Sequence, residues 1–291
     1  MSVADPLRHP SFPCSGLYLA VWSRENGNMN LDLSGKTAIV CGSTQGIGLA
    51  SAEEIAALGA SVFLMARNPD RLEEVAAGLP RAGQGQTHGV LVADFSDPSA
   101  VQSTIEPWVA AGNRAEILVN NTGGPPAAPA MEANVEAFRI GFNNHLVCNH
   151  ILVQHLVPGM KEAGYGRIIN IISTSVKTPI NGLGVSNTIR GAVASWAKTL
   201  ANELAGFGIT VNNMLPGMTW TGRLESLIRN RAERSGQTVD QVADAMKQEI
   251  PAGRFGEPCE PGGVVAFLAT PAASYINGTS IPVDGGRTPC L

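Results

Sequence analysis

The chain has 291 residues and a mass of 30.3 kDa, and 44% of its residues are hydrophobic, which is enough for a substantial core and excludes disorder for the bulk of the chain. Its 20 Lys and Arg residues and 24 Asp and Glu residues leave a formal net charge of −4. A chain with this charge has no basic field for a phosphate backbone, so nucleic acid is not expected as a partner.

The cysteines and the apolar runs exclude two further classes. The five cysteines are odd in number and widely spread, and none forms a CxxC pair with the spacing of a metal or redox site. We therefore expect no bound metal and a reducing, cytoplasmic setting. No apolar run approaches the ~18 residues that a membrane span requires, so no membrane partner is expected.

Residues 1–28 differ in pattern from the rest of the chain. They mix Pro, Ser, Asn and charged residues without periodicity. We predict a flexible N-terminal extension here, or translation from a start codon upstream of the true one.

From Lys36 onward, short β-branched runs alternate with helical patterns. The predicted strands are KTAIVC, SVFLMA, GVLVAD, EILVNN, GRIINIIS, GITVNNML and SIPVDG, and the helical patterns include GLASAEEIAALGA and RGAVASWAKTLANELAGFG. This alternation is typical of βαβ units and a parallel sheet, and strands that are apolar on both faces indicate helices on both sides. We predict that residues 29–291 form one α/β domain, a doubly wound parallel sheet of the Rossmann type. Its ligand crevice should lie at the carboxyl ends of the strands.

A glycine-rich turn, VCGSTQGIGLA, follows the first strand and opens the first helix. Gly42, Gly46 and Gly48 fit this place because a Cβ would block the tight turn, the approach of a pyrophosphate and the packing of helix on strand. The free N–H groups of the helix N-terminus would then point at the phosphates. A glycine turn alone is weak evidence, but its position predicts a dinucleotide site that also includes Thr44 and Ile47.

The ends of the next strands indicate which dinucleotide is bound. Arg67 ends the second strand, where a binder of the unphosphorylated cofactor usually carries an acidic side chain. A guanidinium there can pair with a 2′-phosphate, so NADP is favoured over NAD; the alternative is a solvated arginine at a strand end. Asp94 is positioned to accept from an adenine amino group, and Asn121 and Gly123 should line the crevice.

Several ordered motifs resemble those of the short-chain dehydrogenase/reductase family, closest in pattern to bacterial 3-oxoacyl-acyl-carrier-protein reductases. The resemblance covers residues 31–286 and is carried by GSTQGIG, NNTGG (Asn-Asn-Ala-Gly in the family), ISTS, NNMLPGMTWT, PAGRFGEP and YINGTSIPVDGG. It implies that Ser173 is the catalytic serine. It also implies that Pro216, Gly217 and Thr221 belong to the motif that holds the nicotinamide.

The resemblance fails at the catalytic pair. The family places Tyr and Lys four residues apart on the helix after Ser173, and this chain has Ser186 and Arg190 at those positions. A serine hydroxyl is a weaker acid than a phenol of pKa ~10 and lies on a shorter side chain, so Ser186 cannot simply replace the tyrosine as proton donor. Arg190 could hold the nicotinamide ribose but not shuttle protons. The alternative for Arg190 is a surface arginine on a helix.

A second departure lies in RIGFNNHLVCNH, where His145 stands at the position of a structural and catalytic asparagine of the family. Asn144 is adjacent, so a shift of one residue would restore the usual pattern. Within the crevice, His145 would be the best replacement acid because its unperturbed pKa is ~6.5. The alternative, a histidine satisfied within the packed helix, is slightly favoured.

Two functions follow from these observations. The first is an atypical NADP-dependent oxidoreductase that transfers hydride between nicotinamide and a carbonyl or alcohol substrate, with Ser173 and either water or His145 handling the proton. The second is a dinucleotide-binding protein, or a non-redox enzyme, that has lost hydride transfer. The first is favoured.

The substrate and the partners are less well defined. GGPPAAPAM suggests an apolar wall. Residues 218–250 should form a helical lid with four arginines, Arg223, Arg229, Arg231 and Arg234. These arginines could meet an anionic substrate or face water, and water is favoured. Members of the resembling family usually pair through the helices that hold His145 and Arg190, so a homo-oligomer, a tetramer or dimer, is expected.

Overall fold

Seven parallel strands form one sheet in the computed structural model, which describes residues 29–83 and 85–290. The predicted extension, residues 1–28, lies outside the described residues. The strand order is β3-β2-β1-β4-β5-β6-β7. The strands are β1 (Thr37–Cys41), β2 (Ser61–Ala66), β3 (Gly89–Val92), β4 (Ile117–Asn120), β5 (Gly166–Ile171), β6 (Ile209–Pro216) and β7 (Ser280–Val283).

Helices connect these strands and cover both faces of the sheet. Along β1, Ala38 and Val40 belong to the core on one face of the sheet, while Ile39 and Cys41 belong to the core on the other face. The predicted doubly wound α/β fold is confirmed. The helices are α1 (Gly46–Ala57), α2 (Pro69–Gly78), α3 (Pro98–Ala110), α4 (Val135–Phe142), α5 (Cys148–Ala163), α6 (Gly184–Leu204), α7 (Gly222–Ser235), α8 (Val239–Gln248) and α9 (Cys259–Ala269).

The order of the strands determines where a crevice opens. β1 pairs with β2 on one side and with β4 on the other, so the chain reverses direction across the sheet after β3. The loops that follow β1 and β4 therefore diverge at the carboxyl edge, which is where ligands bind in such sheets. The glycine turn follows β1, and the NNTGG segment follows β4.

A ladder of buried amides crosses the sheet below this crevice. The side-chain amide of Asn120 donates to Asn170 (2.8 Å), that of Asn170 donates to Asn213 (3.0 Å), and that of Asn213 donates to Ser280 (3.1 Å). These residues are paired in register on β4, β5, β6 and β7. The ladder satisfies polar groups that would otherwise be buried without partners.

Helix α6 begins earlier than the sequence pattern predicts. The predicted pattern starts at Arg190, whereas the helix starts at Gly184. Val185 and Ile189 are both buried, and their four-residue spacing extends the apolar stripe of the helix by more than a turn. Arg190 therefore lies inside the helix and not at its beginning.

Two helices lie within residues 218–250, the segment for which the sequence predicts a helical lid. α7 and α8 share an apolar cluster of their own, which includes Leu224, Ile228, Val242 and Met246. No helix in the described part of the chain is long and apolar enough to cross a membrane.

Candidate active site

The glycine turn after β1 has the geometry that a bound pyrophosphate requires. Gly42 and Gly46 have φ values of 56° and 58°, and a Cβ on Gly42 would come within 2.5 Å of the Asn121 carbonyl oxygen. A Cβ on Gly48 would collide with the Gly42 carbonyl. Helix α1 begins here, and Gln45 provides no side-chain cap. The N–H groups of its first turn are thus left for an anionic ligand, and the cradle fits a dinucleotide.

The other predicted cofactor residues surround this turn. The Asn121 amide donates to the Gly42 carbonyl (3.1 Å), which ties the loop after β4 to the glycine turn. Thr221 caps α7, and its Cγ2 lies 3.2 Å from the place a Gly46 Cβ would take. Thr44 and Ile47 are half-buried in the same turn. The segment from Pro216, the last residue of β6, through Gly217 to Thr221 therefore faces the glycine turn across the crevice.

Arg67 and Asp94 lie together at the edge of the crevice beyond β2 and β3. Asp94 accepts from the Ser96 N–H (2.9 Å), and this bond, with the charge of Arg67 contributing, holds the pKa of the Asp94 carboxyl below its usual value. Arg67 is exposed directly after β2. The long, exposed side chain of Arg67 thus lies at the position where the sequence predicts a contact with the 2′-phosphate.

Ser173 stands just beyond the end of β5 with a hydroxyl ready to donate. Its Oγ accepts from the Ser175 N–H (3.1 Å) as the cap of a short 3₁₀ turn, Thr174–Val176. Because this bond uses an oxygen lone pair, the hydroxyl hydrogen remains available for a substrate oxygen.

Ser186 and Arg190 lie four residues apart on α6, and both are buried. Arg190 donates from Nη1 to the Ile171 carbonyl (3.0 Å) and from Nη2 to the Thr122 carbonyl (3.5 Å). Burial lowers the pKa of Arg190 to about 10, and the charge of Arg223 adds to this. Its burial excludes a surface arginine, the alternative that the sequence left open.

His145 lies in a π-helical turn, Asn143–Val147, between α4 and α5, and it is 1% exposed. Its Nδ1 hydrogen-bonds with the Thr122 hydroxyl, and its Nε2 is buried without a partner among the described residues. Burial lowers the pKa of His145 to about 2, with further lowering from Arg190 and Arg223. The ring is therefore neutral near pH 7, because desolvation and two cations oppose its protonation, and this argues against His145 as the replacement acid.

Asn144 does not replace His145 in the crevice. In the orientation that satisfies its neighbours, the Asn144 amide donates to the carbonyls of Ile140 (2.9 Å) and Phe95 (3.0 Å). Asn144 thus binds backbone beside α4, while His145 faces Thr122 after β4. The one-residue shift that the sequence left open is not adopted.

Arg223 is exposed, as the favoured solvated interpretation predicts, but its guanidinium also contacts the loop after β4. From the first turn of α7 it donates Nη1 to the Gly124 carbonyl (3.0 Å) and Nη2 to the Pro125 carbonyl (3.4 Å). These bonds hold the guanidinium over the loop after β4. Its position two residues after Thr221, in the motif that resembles the nicotinamide-holding segment, is the signal that could have identified it.

The other lid arginines fit the solvated interpretation. Arg229 pairs with Glu225 on the same helix (2.6 Å), and Arg231 and Arg234 are exposed. Thr122 is a second residue that the sequence analysis did not select. It stands where the family motif has alanine, and that difference was the available signal.

A cavity of about 330 Å³ opens beside this loop. Residues 123–126 form one wall and α4 forms the other, with Ile140, Gly141 and the π-turn residue Asn144 among its lining. The first four residues of the predicted apolar wall, GGPP, thus line this cavity. In the described residues, no group of three or more His, Cys, Asp and Glu side chains is placed to hold a metal ion.

Comparison with known proteins identifies the family. A family model described as enoyl-(acyl carrier protein) reductase matches residues 42–288. The 3-oxoacyl-[acyl-carrier-protein] reductase of Haemophilus influenzae is 33% identical over 254 residues, 87% of this chain and 98% of that protein. A tropinone reductase homolog of Arabidopsis thaliana is 32% identical over 257 residues, 88% of this chain and 92% of that protein.

Solved structures agree with these relatives. The crystal structure of L-sorbose reductase from Gluconobacter frateurii, complexed with NADPH and L-sorbose, has a TM-score of 0.84 and 32% identity, and covers 90% of this chain and all of that chain. The chain belongs to the short-chain dehydrogenase/reductase family, a family of oxidoreductases. The predicted family is confirmed.

Proposed function

We propose that this chain is an NADP-dependent oxidoreductase that transfers a hydride between the nicotinamide and a carbonyl or alcohol carbon of a small molecule. The observation that carries the proposal is the glycine cradle at the uncapped N-terminus of α1, which Arg67 extends at the end of β2. The relative with 32% identity that is complexed with NADPH supports the same cofactor.

The residues of the chain have separate roles in this reaction. When bound, the dinucleotide supplies or accepts the hydride. For reduction, the Ser173 hydroxyl donates a hydrogen bond to the carbonyl oxygen, and Arg190 adds positive potential as negative charge develops there. A water delivers the proton that converts the alkoxide to the alcohol, because a guanidinium is not deprotonated in proteins and a neutral His145 is too weak an acid.

His145 acts in this proposal as a positioning residue. Its neutral ring and the Thr122 hydroxyl form one hydrogen-bonded pair, and the Arg190 guanidinium donates to the Thr122 carbonyl. The pair therefore fixes the backbone that orients Arg190.

A second function is favoured by one specific feature. Ser186 and Arg190 replace the tyrosine and lysine of the family, so the chain could bind the dinucleotide without transferring hydride. A dinucleotide-binding protein or a non-redox enzyme would retain the cradle and Arg67. The two functions agree on cofactor binding and differ on turnover.

Nicotinamide absorbance separates the two functions. The protein is incubated with NADPH and a panel of ketones, aldehydes, imines and activated alkenes, and with NADP⁺ and alcohols. The oxidoreductase proposal expects oxidation of NADPH with at least one carbonyl, and a loss of about 10²- to 10³-fold in Ser173→Ala. Ser195→Ala, an exposed serine on α6, is the matched control. Tight NADPH binding without any oxidation favours the second function.

We further propose a homo-oligomer, a tetramer or dimer, in a reducing, cytoplasmic setting. α4 leaves Val135, Ile140 and Phe142 exposed near the helices through which relatives pair, and such a group of apolar side chains favours a protein contact. Sedimentation that gives only monomer at micromolar concentration argues against this assembly.

We also propose that residues 218–250 act as a lid. α7 and α8 pack on each other through a cluster of their own, and pairing of Thr219 with Gly256 closes the base of the segment. Slower amide hydrogen exchange of α7 on addition of NADPH would support closure, and unchanged exchange would argue against it.

A further inference from the structure

Two of the arginines without a carboxylate partner among the described residues, Arg190 and Arg223, contact the loop after β4. Neither takes part in an ion pair in the part of the chain that the structure describes. The arginines that do pair with carboxylates are Arg71, Arg114, Arg139, Arg229, Arg254 and Arg287.

The missing counter-charge matters most for Arg190, which is 8% exposed. A buried cation is costly unless it is paired, and Arg190 is offset only by two backbone carbonyls. Its Nε is buried without a hydrogen-bond partner among the described residues. The site thus holds a fixed positive charge with unused donor capacity.

Arg223 brings a second cation to the same place. Its two bonds to the carbonyls of Gly124 and Pro125 fix the guanidinium at the loop after β4, one residue beyond the Thr122–Gly123 segment that Arg190 and His145 contact. Arg223 is exposed, and its charge lowers the pKa values of both Arg190 and His145.

The cavity beside this loop offers Arg190 and Arg223 no free carboxylate. The carboxylate among the residues that line the adjacent cavity is Glu136, and it pairs with Arg139 (3.4 Å) on the exposed side of α4. His145 is neutral. Two guanidinium groups therefore contact the backbone of one loop, residues 122–125, and neither forms an ion pair with a carboxylate of the described residues.

We propose that Arg223 binds an anionic group of the substrate, with Arg190 adding positive potential, and that the substrate is a carbonyl compound that carries a carboxylate. A guanidinium presents paired N–H donors that match the two oxygens of a carboxylate. Arg190 also contacts the carbonyl of Ile171, two residues before Ser173, so its positive charge lies near the hydroxyl that would hold the reacting carbonyl. This inference rests on the proposed hydride transfer.

Arg223 is the residue for the test, because Arg190 stands where the cofactor ribose is expected. The substrates are 2-oxobutanoate, acetoacetate and levulinate, each compared with its ethyl ester, so that charge changes while the reacting carbonyl is kept. We expect kcat/KM for at least one acid to exceed that of its ester by about tenfold or more. In Arg223→Gln this acid-to-ester ratio should fall about 10- to 100-fold, chiefly through KM for the acid.

Two further variants separate charge from structure. Arg223→Lys keeps the charge but loses the paired donors, so the ratio should fall less than in Arg223→Gln, whereas a role restricted to bonding the Gly124 and Pro125 carbonyls predicts equal losses in both variants. Arg231→Gln, on the exposed side of the same helix, should leave the ratio at its wild-type value. Preference for the esters, or a ratio that Arg223→Gln does not change, overturns the inference while hydride transfer stands.

Binding of oxalate tests the same site without turnover. Oxalate is titrated calorimetrically into the NADPH-bound protein. We expect saturable binding that weakens about tenfold or more in Arg223→Gln and less in Arg223→Lys. Absent binding, or binding equal in wild type and Arg223→Gln, overturns the inference. If none of the acids or esters oxidises NADPH but oxalate binds as expected, the anion site stands and the proposed hydride transfer is the part that fails.

Discussion

His145 and Thr122 replace the asparagine and alanine of the family motifs, and the two side chains contact each other. Two changes far apart in the sequence thus form one pair in the fold. A single sequence shows each departure but not their contact, and it gives the ordinary pKa of histidine without the burial that lowers it. For this reason the position of His145 could be predicted and its protonation state could not.

The neutral His145 makes stability depend on pH. Its pKa in the folded chain, about 2, lies below the ~6.5 of an unfolded histidine, so at mildly acid pH the unfolded chain binds a proton that the folded chain does not. This destabilisation is absent above pH 6.5 and grows as pH falls below it. Between pH 7 and pH 5 the free energy of unfolding should fall by about 2 kcal/mol more in wild type than in His145→Asn. Urea unfolding at the two pH values measures the difference; equal losses in both proteins contradict the neutral ring.

Arg67 determines the choice between NADP and NAD in our account. Arg67→Asp removes a charge-assisted contact with the 2′-phosphate and adds repulsion, which should weaken NADPH binding by at least about 1.5–3 kcal/mol. NADH binding should change much less. Calorimetric titration of both cofactors checks this, with the exposed Arg81→Asp as a control for the same change of charge. Equal affinities of wild type for NADPH and NADH would overturn the assignment.

We expect Ser186 and Arg190, the replaced pair on α6, to limit the rate of hydride transfer. Ser186→Tyr combined with Arg190→Lys supplies the phenol and ammonium of the family, and a positioned general acid contributes about 10²- to 10⁴-fold. We expect faster oxidation of NADPH by neutral carbonyl substrates in this double variant. Ser186→Phe with Arg190→Lys introduces the same ring without the hydroxyl and should give no such increase. A similar gain in both double variants would show that ring packing, not proton donation, is responsible.

The seven strands are the elements that the sequence predicts best. The observed bounds agree with the predicted runs to within two residues, because each strand is a short β-branched run that is apolar on both faces. α6 starts earlier than predicted because tertiary burial of Val185 and Ile189 outweighs the weak helix preference of its first turns. The π-helical turn at Asn143–Val147 has no local signature that periodicity could detect.

The amide ladder makes a prediction at the level of the strands. Asn170→Ala removes the central member and leaves the amides of Asn120 and Asn213 without their partner. Each buried polar group left unpaired costs about 1–3 kcal/mol, so we expect the free energy of unfolding to fall by about 2–5 kcal/mol. Asn202→Ala, an exposed residue of α6, should change it by less than about 0.5 kcal/mol. Thermal or urea unfolding measures both; a loss below 1 kcal/mol in Asn170→Ala argues that the ladder adds little.

For the whole molecule, the sequence identifies the crevice better than the chemistry within it. The cradle residues follow from motifs that are local in the chain and have a fixed place in the fold. The charge of the site depends on Arg190 and Arg223, which lie on different helices and are brought together by the loop after β4. Long-range placement of this kind is set by packing, and no local pattern contains it.

Transfer of isotope from cofactor to product tests the central claim most directly. NADPH that carries deuterium at both C4 positions is incubated with the protein and the carbonyl panel, and the products are analysed by mass spectrometry. We predict deuterium on the former carbonyl carbon of an alcohol product, with formation slowed by about 10²- to 10³-fold in Ser173→Ala. NADPH that binds tightly but delivers deuterium to none of the ketones, aldehydes, imines or activated alkenes would contradict hydride transfer by this chain.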